Sequence, residues 1–516
     1  MPEKEIKEFI DNHIDKIKPL FKKARLAYWT ATTTGNKAPY KEYEILQKEI
    51  ERIYNNKDEF ELVKKFYKSE LKNLLLKRQI KILYLSYLGS QGDIELINKI
   101  IQLSTEMERK FNTFRAKIGN KECTDNEIKD ILQKETNSKK LEEAWNANKE
   151  QGALVEKELL ELVKLRNKKA RGLGFKNYHQ YSLELNEQTE QEITSIFNKL
   201  AELTEKSFWE MKKEIDFFLS KRYREKELKP WHYQDLFFQE APQISKFDLD
   251  KYYNKGIVAI AKKFYSSLAL PVDDILARSD LYEKPGKYQH AYCMDIDREG
   301  DIRSVMNIKN DEKWMETILH ELGHGVYWKY IDKNLPYLLR DTAHTLTTEA
   351  VAQFFGRNSK NISFIKNYSS IKENEVISLS KEVKKMLKLR QLIFSRWSQV
   401  MFHFEKSLYE NPNQNLNLLW WKLVKKYQLI DFSRDKPDWA SKIHFVSSPV
   451  YYHNYLLGEL FASQIQNTIT KKQLHVGEYL KKSIFGPGAC YKWDEFIEKA
   501  VGEKLNPKYY VKEFCS

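Results

Sequence analysis

The chain is poor in the residues that staple or interrupt a fold. Its 516 residues include only four cysteines, Cys123, Cys293, Cys490 and Cys515, with no C-x-x-C pair. That excludes a disulfide scaffold and any paired-cysteine metal or redox motif. Glycine (18) and proline (13) are scarce too, leaving long unpunctuated runs that favour helices over many short strands. No run approaches the roughly 18 apolar residues of a membrane span, and the charged amino terminus lacks the apolar stretch of a secretory signal. The expectation is a cytoplasmic protein with no membrane partner. Acidic residues are outnumbered, 73 against 87 Lys and Arg, for a net charge of +14. Such an excess points towards nucleic acid or anionic surfaces only where it is clustered. Here lysine is interspersed with glutamate throughout, no compact basic block stands out, and solvated helix faces are the simpler reading, with no nucleic-acid partner.

Hydrophobic residues make up 41% and aromatics 13% of the chain, enough for a large core. Helical patterns run over 1–30, 40–118, 126–135, 140–168, 188–224, 248–268 and 370–409. Turn residues over 31–39 predict a loop between the first two. The clearest β signal is a hairpin: extended runs over 289–298 and 302–308 around the turn Glu299-Gly300-Asp301. The tail beyond Gly488 reads as a helix with an extended end.

Immediately after that hairpin comes His320-Glu321-Leu322-Gly323-His324. Met315, Ile318, Leu319, Leu322 and Val326 recur at helical spacing, so the motif lies on one amphipathic helix. Two histidines four apart then stack on the same side and can share one metal ion, with Glu321 one step round to hold a water. The alternative is an exposed histidine pair on a solvated face. Gly323 weighs against it, because a glycine in mid-helix costs about 1 kcal/mol and usually answers a packing or functional need. Downstream, Glu349 falls among Leu346, Ala350, Val351, Phe354 and Phe355 on a second helix, where a carboxylate is costly unless paired or ligated. His444 stands in a short polar connection, and Tyr452 and Tyr455 open a further helix. By spacing alone such tyrosines are core packing as readily as functional groups.

Together these residues resemble the angiotensin-converting-enzyme (peptidyl-dipeptidase A) family of zinc peptidases. The similarity is distant, and its specific parts lie in 290–350 and 442–461. H-E-x-x-H followed by Glu349-Ala350 resembles the family's ligand set. His290-Ala291 to Asp295 and then Asp301-Ile302-Arg303 is similar to its substrate strand, and Lys442-Ile443-His444 and Tyr452-His453-Asn454-Tyr455 to its Lys-x-His and Tyr-x-x-Tyr elements. The run 451–461 is also similar to thimet-oligopeptidase-like and oligoendopeptidase-like enzymes. Two departures stand out. Asn454 replaces the arginine that helps to bind chloride, so chloride activation is not expected, and the family's substrate-binding glutamine has only a loose counterpart in Gln234.

The resemblance implies a mainly α, two-lobed helical catalytic domain with a deep central cleft and a small β-sheet near the histidine helix. All of 1–516 would form one peptidase domain of two interwoven subdomains, the site being carried by 289–356 and 440–461. It implies one zinc per chain on His320, His324 and Glu349, with a water activated there attacking a peptide carbonyl and Glu321 as general base. His444 and Tyr455 would stabilise the developing oxyanion, while His290, Ala291, Lys442 and Tyr452 bind substrate. Cys293, beside the strand, reads as a small buried filler. The implied activity is a gluzincin-type metallopeptidase releasing dipeptides from free C-termini of short peptides. A cytosolic oligoendopeptidase and a catalytically inactive zinc-containing peptide-binding protein are the alternatives. Neither oligomeric state nor side-chain preference is readable.

Overall fold

A computed structural model describes residues 2–244, 247–369 and 371–515. The protein is mainly helical, with two small two-stranded antiparallel sheets among the described residues. It divides into two compact units, each assembled from three separate stretches of chain. Met1–Gln91, Asp248–Lys381 and Leu457–Asn506 form the first; Gly92–Phe247, Glu382–Leu456 and Pro507–Ser516 form the second. Among the described residues, no helix is long and apolar enough to cross a membrane.

In the first unit the chain opens with a helix over Pro2–Thr34, burying Ile6, Ile10, Ile17 and Ala24. The expected loop over 31–39 shrinks to two residues. Thr32, Thr33 and Thr34 stay helical, their hydroxyls satisfied within the helix by bonds back to the Tyr28, Trp29 and Thr30 carbonyls at 2.9, 2.8 and 2.7 Å. Only Gly35, at φ +71°, turns the chain, and Pro39 falls in the first turn of the next helix, where a missing N–H costs nothing. The predicted helical run over 40–118 is cut into four helices: Lys37–Tyr54, Lys57–Tyr67, Leu74–Ser90 and Ile94–Thr113. Asn56, Asn73 and Asp93 begin the last three by accepting backbone N–H bonds at their N-termini. The 248–268 helix is shorter than expected, Ile257–Ser267, starting after Gly256.

The β-hairpin is present, with Tyr292–Asp295 paired to Ile302–Val305. His290 and Ala291, predicted on its first strand, lie just before it. The hairpin packs on the histidine helix, Glu312–Lys329: a side chain at Gly325 would meet Cys293 Sγ at 3.4 Å and Ile275 Cδ1 at 3.1 Å. That helix is capped by Asp311, which accepts the Trp314 N–H at 2.7 Å. Met315, Ile318, Leu319, Leu322 and Val326 are all fully buried, as their spacing predicted.

The second unit is built round the helices Ser138–Gly172, Glu190–Tyr223 and the greater part of Glu373–Glu410. Trp145, Trp397, Trp420, Trp421 and Trp439 meet in its core. It carries a hairpin that sequence reasoning missed, Ala116–Ile118 with Lys121–Cys123, turned by Gly119 at φ +58° and Asn120. The chain ends in a helix, Lys508–Phe514, not in the expected extended segment. Tyr510 and Phe514, one turn apart, are buried there, and the Tyr510 hydroxyl donates to the Gln391 carbonyl at 2.6 Å.

Candidate metal centre

The histidine helix lies against the glutamate helix, Thr345–Gly356, at unusually short range. Gly323 explains why. A Cβ there would stand 2.9 Å from the Ala352 Cα, so only glycine admits that approach. Gly458, on the helix His453–Lys472, serves the opposite side, where a Cβ would lie 3.1 Å from the Glu349 Cβ. Beyond the glutamate helix, Arg357 donates Nε to Glu459 Oε2 at 2.8 Å in a buried ion pair that ties the same two helices together.

This packing brings three ligand-type side chains together. His320 Nε2 and His324 Nε2 are 3.2 Å apart, and His320 Nε2 is 3.8 Å from Glu349 Oε2. All three ligand atoms lie within 4.8 Å of one another. Zinc bonds of about 2.0–2.1 Å at tetrahedral angles place ligand atoms roughly 3.3 Å apart, so the set fits zinc. Charge agrees with geometry. Burial first, and then His320, hold the His324 imidazole far below its usual range and therefore neutral, the ligand form. Glu321 and Glu349 are 7% and 8% exposed, and two buried carboxyl groups beside the neutral His324 imidazole suit a divalent cation. Burial, then the charge of Glu349, push the Glu321 carboxyl up to about 8.

Thr348, one residue before Glu349, places its hydroxyl 2.7 Å from His324 Nδ1. For Nε2 to face a metal, Nδ1 must carry the hydrogen and the Thr348 oxygen accept it.

In the second unit another predicted group assembles. Lys442 is 7% exposed, not snorkelling, and its Nζ donates to Gln239 Oε1 at 2.6 Å. The rings of Phe237, Trp397 and Tyr452 surround that ammonium at 5.2, 5.1 and 5.4 Å. Burial pushes it down to about 8. The Tyr452 hydroxyl accepts from Trp397 Nε1 at 2.7 Å. His444 packs edge-on to Tyr452, ring centroids 5.0 Å apart, and Tyr452 lies 5.5 Å from Tyr455. Burial, then Lys442, lower His444 to about 3, so it is neutral. Gln234 stands apart from this group, bonded to the Tyr223 hydroxyl and the Gln243 N–H. Gln239, which sequence reasoning did not single out, is the glutamine that meets Lys442. At Asn454 the side chain accepts from Gln188 at 2.8 Å, so a neutral amide pair occupies the position.

Residues 276–515, which hold the three ligand candidates, match the family described as Peptidase family M3. Residues 1–229 match the one described as Angiotensin-converting enzyme. The chain belongs to the M2/M3 zinc metallopeptidases. No curated protein matches it. In this metallopeptidase His320, His324 and Glu349 form the candidate zinc site. Replacing Thr348 by Val, which keeps the shape and removes the acceptor, is expected to weaken zinc binding by about 10–100-fold. Chelator competition measures this directly, and Thr348→Ser should recover most of the loss.

Proposed function

We propose that this metallopeptidase hydrolyses short peptides and releases dipeptides from free C-termini. The convergence of His320, His324 and Glu349 beside buried Glu321 carries the hydrolytic part of that reading. When bound, zinc supplies a Lewis acid that polarises a carbonyl and acidifies water. Glu321 accepts the proton released at attack and passes it to the leaving amine. His444 and Tyr455 offer hydrogen bonds to the oxyanion.

Extended substrate pairs with the outer edge of the strand Tyr292–Asp295. Ser304, opposite Cys293, uses its own N–H on Ser279 Oγ and its carbonyl on the Asp280 N–H, both away from that strand. Cys293–Ser304 is therefore a non-hydrogen-bonded pair, and the Cys293 backbone groups face outward. His290 and Ala291 lead into this edge.

The dipeptide register rests on Lys442. A buried ammonium held by Gln239, with the Tyr452 ring beside it, suits a terminal carboxylate. The match of 276–515 to Peptidase family M3 favours a second reading, internal cleavage of short peptides. One decapeptide, with free or amidated C-terminus, separates the two by mass spectrometry of its products. Dipeptides from the free acid alone support the clamp, whereas equal internal cleavage of both forms discards it. If the clamp is correct, Lys442→Met raises KM for the free acid at least tenfold and leaves the amide unaffected. The wild-type KM for the free acid should likewise climb as pH rises beyond about 8, where Lys442 loses its proton.

A further inference from the structure

His444 and the Tyr452–Tyr455 pair are joined by a short segment whose backbone is held at both ends by buried polar side chains. His444–Ser447 is a single helical turn. The carbonyls of Phe445 and Val446 have no further turn to bond to. Arg166 fills that need, donating Nη1 to Phe445 O and Nη2 to Val446 O, each at 2.7 Å. It reaches them from the helix Ser138–Gly172, is 4% exposed, and also meets the Tyr409 hydroxyl at 3.2 Å. At the other end Glu405, equally buried on the helix Glu373–Glu410, accepts the Val450 N–H at 2.8 Å. Both side chains bond to backbone, Glu405 with its carboxyl pushed up to about 8 by burial.

What they hold is strained. Val450 has φ +56°, the left-handed region, which a β-branched side chain strongly disfavours. Such a residue persists only when its surroundings over-determine it, and such residues cluster at functional sites. Val450 is also 2% exposed. His444 needs outside help of this kind, because its buried Nδ1 has no hydrogen-bond partner among the described residues. Its orientation therefore comes from the backbone beneath it and from the Tyr452 ring.

We propose that Arg166 and Glu405 are positioning residues: by holding Val450 in its strained conformation they set the register in which His444 and Tyr455 are presented to the reaction. The inference rests on the oxyanion role assigned above to those two side chains. It predicts an effect on turnover and not on substrate binding, since the two groups act on charge that develops in the transition state.

Steady-state kinetics of zinc-loaded protein, corrected for folded fraction, test it with four changes. Glu405→Leu removes the acceptor and should lower kcat at least tenfold with KM within about twofold. Glu405→Gln still offers a carbonyl to Val450 and should restore kcat to within about threefold of wild type. Val450→Gly keeps the N–H and fits φ +56° without strain, but glycine also reaches many conformations closed to valine, so the register of the segment is no longer fixed. It should leave the melting temperature unchanged or higher while lowering kcat at least fivefold, a combination that a purely structural role does not produce. The double variant Glu405→Leu with Val450→Gly should regain stability and stay slow. If Glu405→Leu fails to fold, Val450→Gly alone decides. Wild-type kcat in either folded variant overturns the proposal. His444→Ala and Tyr455→Phe, run alongside, isolate the underlying reading: if both retain wild-type kcat, it is the oxyanion assignment that falls.

Discussion

Glu321→Gln should keep its zinc and lose its peptidase activity. The amide has the shape of the carboxyl and sits at the same buried position on the histidine helix, so the packing that brings His320, His324 and Glu349 together is untouched. What disappears is a proton acceptor. Positioned general bases contribute about 10²–10⁴ in rate, and a loss of that size in kcat/KM is expected. Zinc content should stay near one per chain, and the melting temperature should not fall, because the substitution removes one of two neighbouring buried carboxylates. Near-wild-type turnover with zinc in place would remove Glu321 from the mechanism. Loss of zinc together with activity would move its role to holding the metal.

The second large effect is expected at Gly323→Ala. In an isolated helix this exchange favours folding by about 1 kcal/mol. Here the new methyl carbon would lie 2.9 Å from the Ala352 Cα, which is backbone and cannot rotate aside, and 3.2 Å from Phe355 Cδ2. The two helices must part by several tenths of an ångström. Overpacking of this kind costs typically 1–3 kcal/mol, outweighing the propensity gain. The metal feels it more than the fold does. His320 and His324 ride on one helix and Glu349 on the other, so separation lengthens the ligand set directly. Zinc affinity should drop by two orders of magnitude or more, read by chelator competition, with only a modest fall in melting temperature. Gly172→Ala is the control, since nothing lies within 4 Å of the added carbon. If Gly323→Ala binds zinc like wild type, the close approach is incidental.

These two residues also mark what pattern reading reaches. The histidine helix was legible because five apolar residues repeat at helical spacing, and because imidazoles four apart need no tertiary knowledge to be placed on one side. Glu349 was legible as a carboxylate stranded among apolar groups. Gly323 was recognised as purposeful, but its partner Ala352 belongs to another helix, and Gly458 gave no warning at all. Helix breaks at Asn56, Asn73 and Asp93 were missed although each is a capping residue, because apolar periodicity carries on across them. The Gly119-Asn120 hairpin was missed since three-residue strands are too short for alternation to register. Gln239 could not have been chosen over Gln234 from sequence. Both follow Trp231 within a few residues, and only the folded path of the segment decides which one meets Lys442.

Lys442 has one more consequence. Counter-ions in buffer screen the exposed lysines that give the protein its +14, with a reach of about 8 Å at physiological ionic strength. Lys442 is 7% exposed, with the rings of Phe237, Trp397 and Tyr452 standing where such counter-ions would gather. Attraction of acidic peptides to the outer surface should thus fade as salt is added, while, on the clamp reading proposed above, the hold of this buried ammonium on a chain end should weaken far less.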